Sequence, residues 1–450
     1  MFKSIYPYTG EQVAEYEPHT AAQVEARLAA AAKAFAALQQ TTLQQRCDWM
    51  RATARHLKDK EAEYGALITR EMGKTLKEAK AEVHKCADSA LYYADQAPAM
   101  LEDRLIKTEA RASYVQYQPK GTILAIMPWN FPFWQVFRFA IPNLLAGNTG
   151  VLKHASNVSG CALALEAIFR AGGFPEHAFQ TLLISSNQVE AVIADARIQG
   201  VTLTGSTPAG RSVGALAGKY IKKSVLELGG SDPFIVLRDA DLDKAAATAV
   251  LSRMQNAGQS CIAAKRWIVE APVLEAFTGK VKQLLAAKIQ GDPFSDANDI
   301  GPMARPDLAE ELKKQMDQTI AAGARLEMGG AVNGCNFTPA LLTGVRPGMI
   351  AFSEETFGPL AAIIPAATEA QAIALANDSS FGLGASLWTQ DVEKARRLAA
   401  QVQSGSVFVN SLMRSDARLP FGGIKTSGYG RELSVEGLHE FLNIKTVYIE

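Results

Sequence analysis

From Gly121 onward, short apolar runs rich in β-branched residues alternate with amphipathic stretches. This rhythm restricts the fold more than any other feature of the chain. Residues 122–127, 150–153, 181–184, 201–204 and 225–228 read as strands, with helices predicted near 136–146 and over 159–171. Strands separated by helices make βαβ units, so the pattern predicts an α/β fold with a parallel, doubly wound sheet. The rhythm resumes at Phe234, with strands over 234–237 and 266–270 and helices over 242–258 and near 273–289. A second α/β domain is expected there. Before Gly121 the chain is helical: Thr20 serves as an N-cap, and Val24, Leu28, Ala31, Phe35 and Leu38 follow at three- and four-residue steps. Residues 43–57 and 67–93 continue the habit and read as scaffold helices.

A length of 450 residues suits two or three domains with a core that needs no metal or disulfide staple. Hydrophobic residues at 48% and charged residues at 20% give the balance of an ordered globular chain. The 46 basic and 46 acidic residues cancel, which argues against a nucleic-acid partner or an anionic membrane surface. No apolar stretch of about 18 residues offers a membrane span, and Met1–Pro7 lacks the apolar core of a leader. The five cysteines (Cys47, Cys86, Cys161, Cys261, Cys335) are too scattered for a disulfide framework, so a reducing, cytoplasmic setting is expected. The six histidines and the cysteines show neither His-x-x-x-His nor Cys-x-x-Cys spacing, and no metal is expected.

Parallel sheets bind ligands at the carboxyl ends of their strands. After 201–204 comes Gly205-Ser206-Thr207-Pro208-Ala209-Gly210, where a helix N-terminus offers free N–H groups to a phosphate; a plain strand-to-helix turn is the alternative. After 150–153 comes Lys153-His154-Ala155-Ser156, whose lysine either contacts ribose and phosphate oxygens or is simply solvated. Three further segments are unusual for loops. Met127-Pro128-Trp129-Asn130-Phe131-Pro132 pins an amide between prolines, and a rigid amide stabilises a developing oxyanion by about 3–4 kcal/mol. Val225–Gly230 places Glu227 at an apolar strand end, where burial raises a carboxylate pKa toward that of a general base. Asn256–Cys261 sets a thiol just past a predicted helix; a buried, inert cysteine is the competing reading. Together they allow acyl-enzyme chemistry, in which a thiol attacks a carbonyl, an amide holds the oxyanion and a glutamate activates water. The G-x-S-x-G elbow of serine hydrolases is absent.

Pro128-Trp129-Asn130-Phe131-Pro132, Glu227-Leu228-Gly229-Gly230, Gly258-Gln259-Ser260-Cys261, Glu354–Pro359 and Pro420-Phe421-Gly422-Gly423 resemble, in order and spacing, the aldehyde dehydrogenase superfamily. Lys153-His154-Ala155, Leu228–Phe234 and Gly428–Glu432 are similar to the bacterial NAD(P)-dependent succinate-semialdehyde dehydrogenases within it. The resemblance covers nearly the whole chain. It implies an aldehyde dehydrogenase-like α/β fold: a Rossmann-type cofactor domain over 1–101 and 120–229, an α/β catalytic domain over 230–425, and a small oligomerisation extension from 102–119 and 426–450.

The same resemblance implies site roles. Cys261 would be the nucleophile, Asn130 and the Cys261 N–H the oxyanion hole, and Glu227 the base for thioester hydrolysis. Gly205 and Ser206 would face the pyrophosphate and Lys153 the adenosine ribose. Glu355 would bind the nicotinamide ribose, and Trp129, Leu228 and Phe357 would line the nicotinamide pocket. Many NAD-preferring relatives carry a glutamate where this chain has Ser156. Its loss removes a repulsion from the 2′-phosphate of order a few kcal/mol, so NADP is expected alongside NAD or ahead of it. Arg138 matches an arginine that grips a distal carboxylate, which implies a short carboxylated aldehyde such as succinate semialdehyde as the small-molecule substrate. A second arginine of some relatives is here Gln255, with Arg414 or Ser415 as possible compensation. Glutarate semialdehyde and medium-chain aldehydes are the alternatives. CoA-acylating relatives tend to lack the base glutamate, so Glu227 argues for water, and Cys261, Glu227 and Asn130 together argue against a non-catalytic relative. The strand near 113–118 and the C-terminal segment imply a homodimer or a dimer of dimers.

Overall fold

The computed structural model describes residues 1–450. Its first sheet orders six strands as Gly428–Tyr429, Lys223–Glu227, Ile198–Thr204, Thr122–Met127, Thr149–His154 and Phe179–Thr181. The five strands between residues 122 and 227 pair in parallel, with Leu124 opposite both Val151 and Val201. Helices cover both faces of such a sheet, so Ile123, Leu124, Val151, Leu152 and Val201 are all fully buried and the strands read as continuous apolar runs. The strand expected over 181–184 lies earlier, at Phe179–Thr181. Leu182, Leu183 and Ile184 are apolar because packing buries them, outside any strand.

A second, seven-stranded sheet runs Arg325–Met328, Ala340–Thr343, Leu360–Ala366, Ala264–Glu270, Asp232–Val236, Gly384–Trp388 and Ser406–Val409. All its pairs are parallel except the first. The chain passes from one sheet to the other between Glu227 and Asp232, through the turn that carries Gly229 and Gly230. A third, antiparallel sheet joins Leu442–Ile449, Ala112–Pro119 and Arg104–Leu105. The segment after 426 thus divides: Gly428–Tyr429 pairs with Glu227 and Leu226 on the first sheet, and Leu442–Ile449 runs along Ala112–Pro119.

Thr20, Thr42 and Thr75 each close a capping box with the Gln or Glu three residues on, a motif that satisfies two otherwise orphaned helix-terminal donors. The helical run expected over 67–93 is two helices, Glu61–Met72 and Leu76–Met100. Gly73 ends the first with a φ of 84°, and a Cβ there would meet Pro302 at 3.0 Å. The apolar period runs through the break because Ile68, Met72, Ala79, Val83 and Cys86 all enter one core. Lys74, in the break, forms a buried ion pair with Glu82. The other Glu82 oxygen accepts from the Phe133 and Trp134 N–H groups, at 2.8 and 2.9 Å, where the helix Trp134–Ala146 begins. A carboxylate at a helix N-terminus is favoured by both the free donors and the dipole. No helix is long and apolar enough to cross a membrane.

Candidate active site

The helix expected over 242–258 stops at Met254. Asn256, Ala257 and Gly258 then take successive φ angles of 55°, 51° and 71°. Left-handed backbone costs a residue with a Cβ about 1–2 kcal/mol, so the turn persists only because its surroundings hold it. Asn256 Nδ2 donates to the carbonyls of Asn130 and Gln259 at 2.8 and 3.0 Å, and its N–H donates to Glu78 Oε1 at 2.7 Å. The buried Arg253 guanidinium donates to the Gly258, Thr356 and Leu360 carbonyls, tying the cysteine loop to the loop of Glu355. A Cβ on Gly258 would lie 2.3 Å from the Gly358 oxygen, so glycine is required where these loops touch.

The turn delivers Cys261 to the junction of two cavities. One, of about 270 Å³, is lined by Lys85, Trp134, Arg138, Gln255, Arg414 and Ser415 among others. The other, of about 260 Å³, is lined by Trp129, Asn130, Gly205, Ser206, Leu228, Glu355 and Phe357 among others. Only Cys261 and Gln135 line both.

Burial pushes the Cys261 thiol up to about 12, against the pull of Lys265 and Arg138. It is therefore protonated at neutral pH, and a nucleophilic role would require that proton to leave. The Cys261 N–H has no partner within the chain. Asn130 is buried; its Oδ1 accepts from Gln135 Nε2 at 3.0 Å, which turns Nδ2 toward the cysteine loop, where one proton goes to the Gln259 carbonyl at 3.1 Å. The second Nδ2 proton is free, and with the Cys261 N–H it supplies the two donors an oxyanion hole needs. His154 locks the loop of Asn130 from behind. Its Nε2 stands 2.9 Å from the Pro132 carbonyl and its Nδ1 3.2 Å from the Met127 carbonyl, so the ring bridges the two ends of the loop. Burial lowers its pKa to about 4, and the ring stays neutral.

Glu227 ends its strand in full burial, lining neither cavity. Its carboxylate makes no hydrogen bond and lies toward Gly422, where a Cβ would be 2.8 Å from Oε1. Burial raises its pKa well above the usual range, and the Glu432 carboxylate raises it further, while Arg138 and Arg431 oppose both. Arg138 lines the first cavity, but its Nε is ion-paired to Glu432 and its guanidinium stacks over Phe421 at 4.7 Å. The residue read as a carboxylate grip is thus committed to an internal carboxylate.

In the second cavity, Ser206 caps the helix Thr207–Lys219 and leaves its N-terminus facing inward beside Gly205. Trp129 and Phe357 meet edge to face, with centroids 5.8 Å apart. Glu355 accepts from Gly230 N–H at 3.0 Å and pairs with the buried Lys265 at 3.2 Å. Lys153 and Ser156 lie beyond the cavity wall. Lys153 is the last residue but one of the strand Thr149–His154, and burial lowers its pKa with no carboxylate to offset it. Ser156 is exposed at the start of the next turn.

Sequence reading missed Gln135, Arg253, Gln259, Lys265 and the row Glu78, Glu82 and Lys85. That row follows four- and three-residue steps on one helix and so shares a face, but a charged stripe reads as a solvated surface until its neighbours are known. Lys85 donates to Ser415 Oγ at 2.7 Å across the first cavity.

The pattern of the aldehyde dehydrogenase family matches residues 1–447, and the chain belongs to that family. It is 51% identical, over 99% of both chains, to the probable succinate-semialdehyde dehydrogenase [NADP(+)] of Synechocystis sp.. It is 49% identical, again over 99% of both, to succinate-semialdehyde dehydrogenase [NADP(+)] 1 of Mycobacterium bovis. Among solved structures, succinic semialdehyde dehydrogenase from Streptococcus pyogenes in complex with NADP+ superposes with a TM-score of 0.98 at 36% identity, covering all of both chains.

Proposed function

We propose that the protein oxidises a short aldehyde bearing a distal carboxylate, succinate semialdehyde foremost, to the acid, with NADP or NAD as acceptor. The observation that carries this reading is the position of Cys261, the one nucleophile shared by an aromatic, glycine-rich cavity and a cation-bearing one. The first suits a dinucleotide: the helix N-terminus at Ser206 favours pyrophosphate, Glu355 suits ribose hydroxyls, and Trp129, Leu228 and Phe357 offer an apolar slot to a flat ring. When bound, the nicotinamide supplies the hydride acceptor. Ser156 leaves a 2′-phosphate unopposed and Lys153 adds a cation nearby, so NADP fits at least as well as NAD. The relatives named above are NADP enzymes by name.

The chain's own residues then act in sequence. The Cys261 sulfur attacks the aldehyde carbon as its proton passes to water, and Asn130 Nδ2 and the Cys261 N–H hold the resulting oxyanion. After oxidation the acyl group is a thioester on Cys261. Glu227, swung from its place beside Gly422, takes a proton from the attacking water, and its raised pKa suits that task. Arg138 and Ser415 line the cavity that receives the substrate's carboxylate. The free edges of the third sheet, with Ile444, Tyr448 and Ile449 exposed on Leu442–Ile449, support a homodimer or a dimer of dimers. All five cysteines are free, which suits a reducing cytoplasm. Growth of reduced-cofactor absorbance with succinate semialdehyde, at a higher kcat/KM than with butanal, tests the reading; equal rates on both aldehydes refute it.

A further inference from the structure

The substrate-side cavity carries more charge than its function has used, and most of that charge is already spoken for. Glu82 is held by Lys74 and two backbone N–H groups, and Glu78 by Thr75 and the Asn256 N–H. Arg138 is paired with Glu432. Asp416, next to the cavity wall, is paired with Arg418. Lys85 is different: it has no carboxylate partner. One of its three ammonium protons goes to Ser415 Oγ, and its Nζ stands 4.2 Å from the centre of the Trp134 ring.

Ser415 is the second half of the arrangement. Its buried hydroxyl oxygen accepts from Lys85 Nζ at 2.7 Å and from Trp134 Nε1 at 3.0 Å. With both lone pairs taken, the hydroxyl has only its proton left to give. An ammonium with unused donors and a hydroxyl limited to donating, side by side on a cavity that ends at the reactive thiol, match a carboxylate acceptor.

We propose that Lys85, together with the Ser415 hydroxyl, is the direct binding site for the distal carboxylate of the aldehyde, with Arg138 contributing charge from behind its pairing with Glu432. The proposal rests on the reading of the substrate as a carboxylated aldehyde. It explains how a chain with Gln255 in place of a second arginine retains a free cation in the cavity. The state of Lys85 agrees with it. Burial, with the nearby Arg138, pulls its pKa down to about 8, while Cys86, Glu82 and Asp416 act in the opposite sense. Besides Glu78, Glu82 and Arg138, the wall carries the charged Arg414, which is exposed. An ammonium destabilised by desolvation gains when an anion arrives beside it.

The test is the ratio of kcat/KM for succinate semialdehyde to that for butanal, since both share the thiol chemistry and the cofactor. Lys85→Met should lower this ratio by about ten- to a hundredfold, the range for a hydrogen bond to a charged group, chiefly through KM for the semialdehyde. Butanal should change by less than about threefold, and Lys85→Arg should recover part of the ratio. In the native enzyme the ratio should fall as pH rises from about 7 to about 10, because Lys85 loses its charge in that range. That measurement stands even if Lys85→Met does not fold. A ratio unchanged in Lys85→Met, or flat with pH in the native enzyme, overturns the assignment of Lys85. A native enzyme that does not prefer the semialdehyde overturns the substrate reading itself and this inference with it.

Discussion

The two cavities that meet at Cys261 are built in different ways. The cofactor-side cavity is assembled largely from strand ends and backbone: Gly205 and Ser206 after one strand, Leu228 and Gly229 after the next, Trp129 and Asn130 after a third. Topology alone brings these together, because parallel strands end on one edge of their sheet. The substrate-side cavity is assembled from side chains on four separated segments: Lys85 on one helix, Arg138 on another, Gln255 at a strained turn and Ser415 on a loop. A fold that fixes its backbone keeps the first cavity. The second depends on which charges are paired and which are left free, so substrate choice can change there while the chemistry stays.

The comparison can be broken most severely where the cavities join. Cys261→Ala should lower kcat with every aldehyde by roughly four orders of magnitude or more, as expected when a covalent nucleophile is lost, while cofactor binding followed by fluorescence persists. Retained turnover would show that the junction is not the reaction centre.

Next comes the carboxylate behind both cavities. Glu227→Gln should slow thioester hydrolysis by about 10²–10⁴-fold, leaving a burst of reduced cofactor in rapid-mixing traces. A proportional loss of the burst would place Glu227 before the thioester. The same variant has a stability signature. The folded-state pKa of Glu227 lies above its unfolded value, so the native state binds the proton more tightly. That stabilisation is whole below about pH 4 and is lost as pH rises toward the raised value. Glutamine does not titrate, so Glu227→Gln should melt higher than the native chain at neutral pH, with the margin shrinking in acid.

A smaller effect is expected at Asn130. Asn130→Ala should reduce kcat by about 10²–10³-fold with KM little changed, because the amide acts on the developing oxyanion. A change in KM alone would make it a ground-state contact.

The mildest change lies outside the cavity walls. Ser156→Glu should shift the kcat/KM ratio of NADP to NAD toward NAD by about tenfold, since an exposed carboxylate repels a 2′-phosphate through well-screened solvent. No shift would mean that the 2′-position binds away from Ser156.

Much of the fold was legible because its signals are local. Apolar runs at strand length, helical periods between them and Thr caps such as Thr20 lie within a few residues of what they determine. The errors fall where packing overrides period. The helix expected through residue 93 breaks at Gly73, and the one expected through 258 gives way at Gln255 to a left-handed turn. In both cases the apolar spacing continues because the same core receives both sides of the break. The site divides along the same line. The motifs that carry Asn130, Gly205, Ser206 and Leu228 follow strands and Cys261 follows a helix, so each was a candidate from its near neighbours alone. Lys85 was not, since its role needs Ser415, 330 residues away, and its value as a free cation depends on Glu82 and Glu432 being engaged elsewhere.

By itself the sequence determined the order of strands and helices, the glycine and proline punctuation, and the set of groups able to do acyl-enzyme chemistry. Tertiary structure alone decided where the Glu227 carboxylate rests, that Arg138 faces Glu432, and that Lys85 keeps an unpaired charge beside Ser415. The reason is physical: backbone conformation responds to near neighbours, whereas the state of a charge depends on every group packed around it, however distant in the chain.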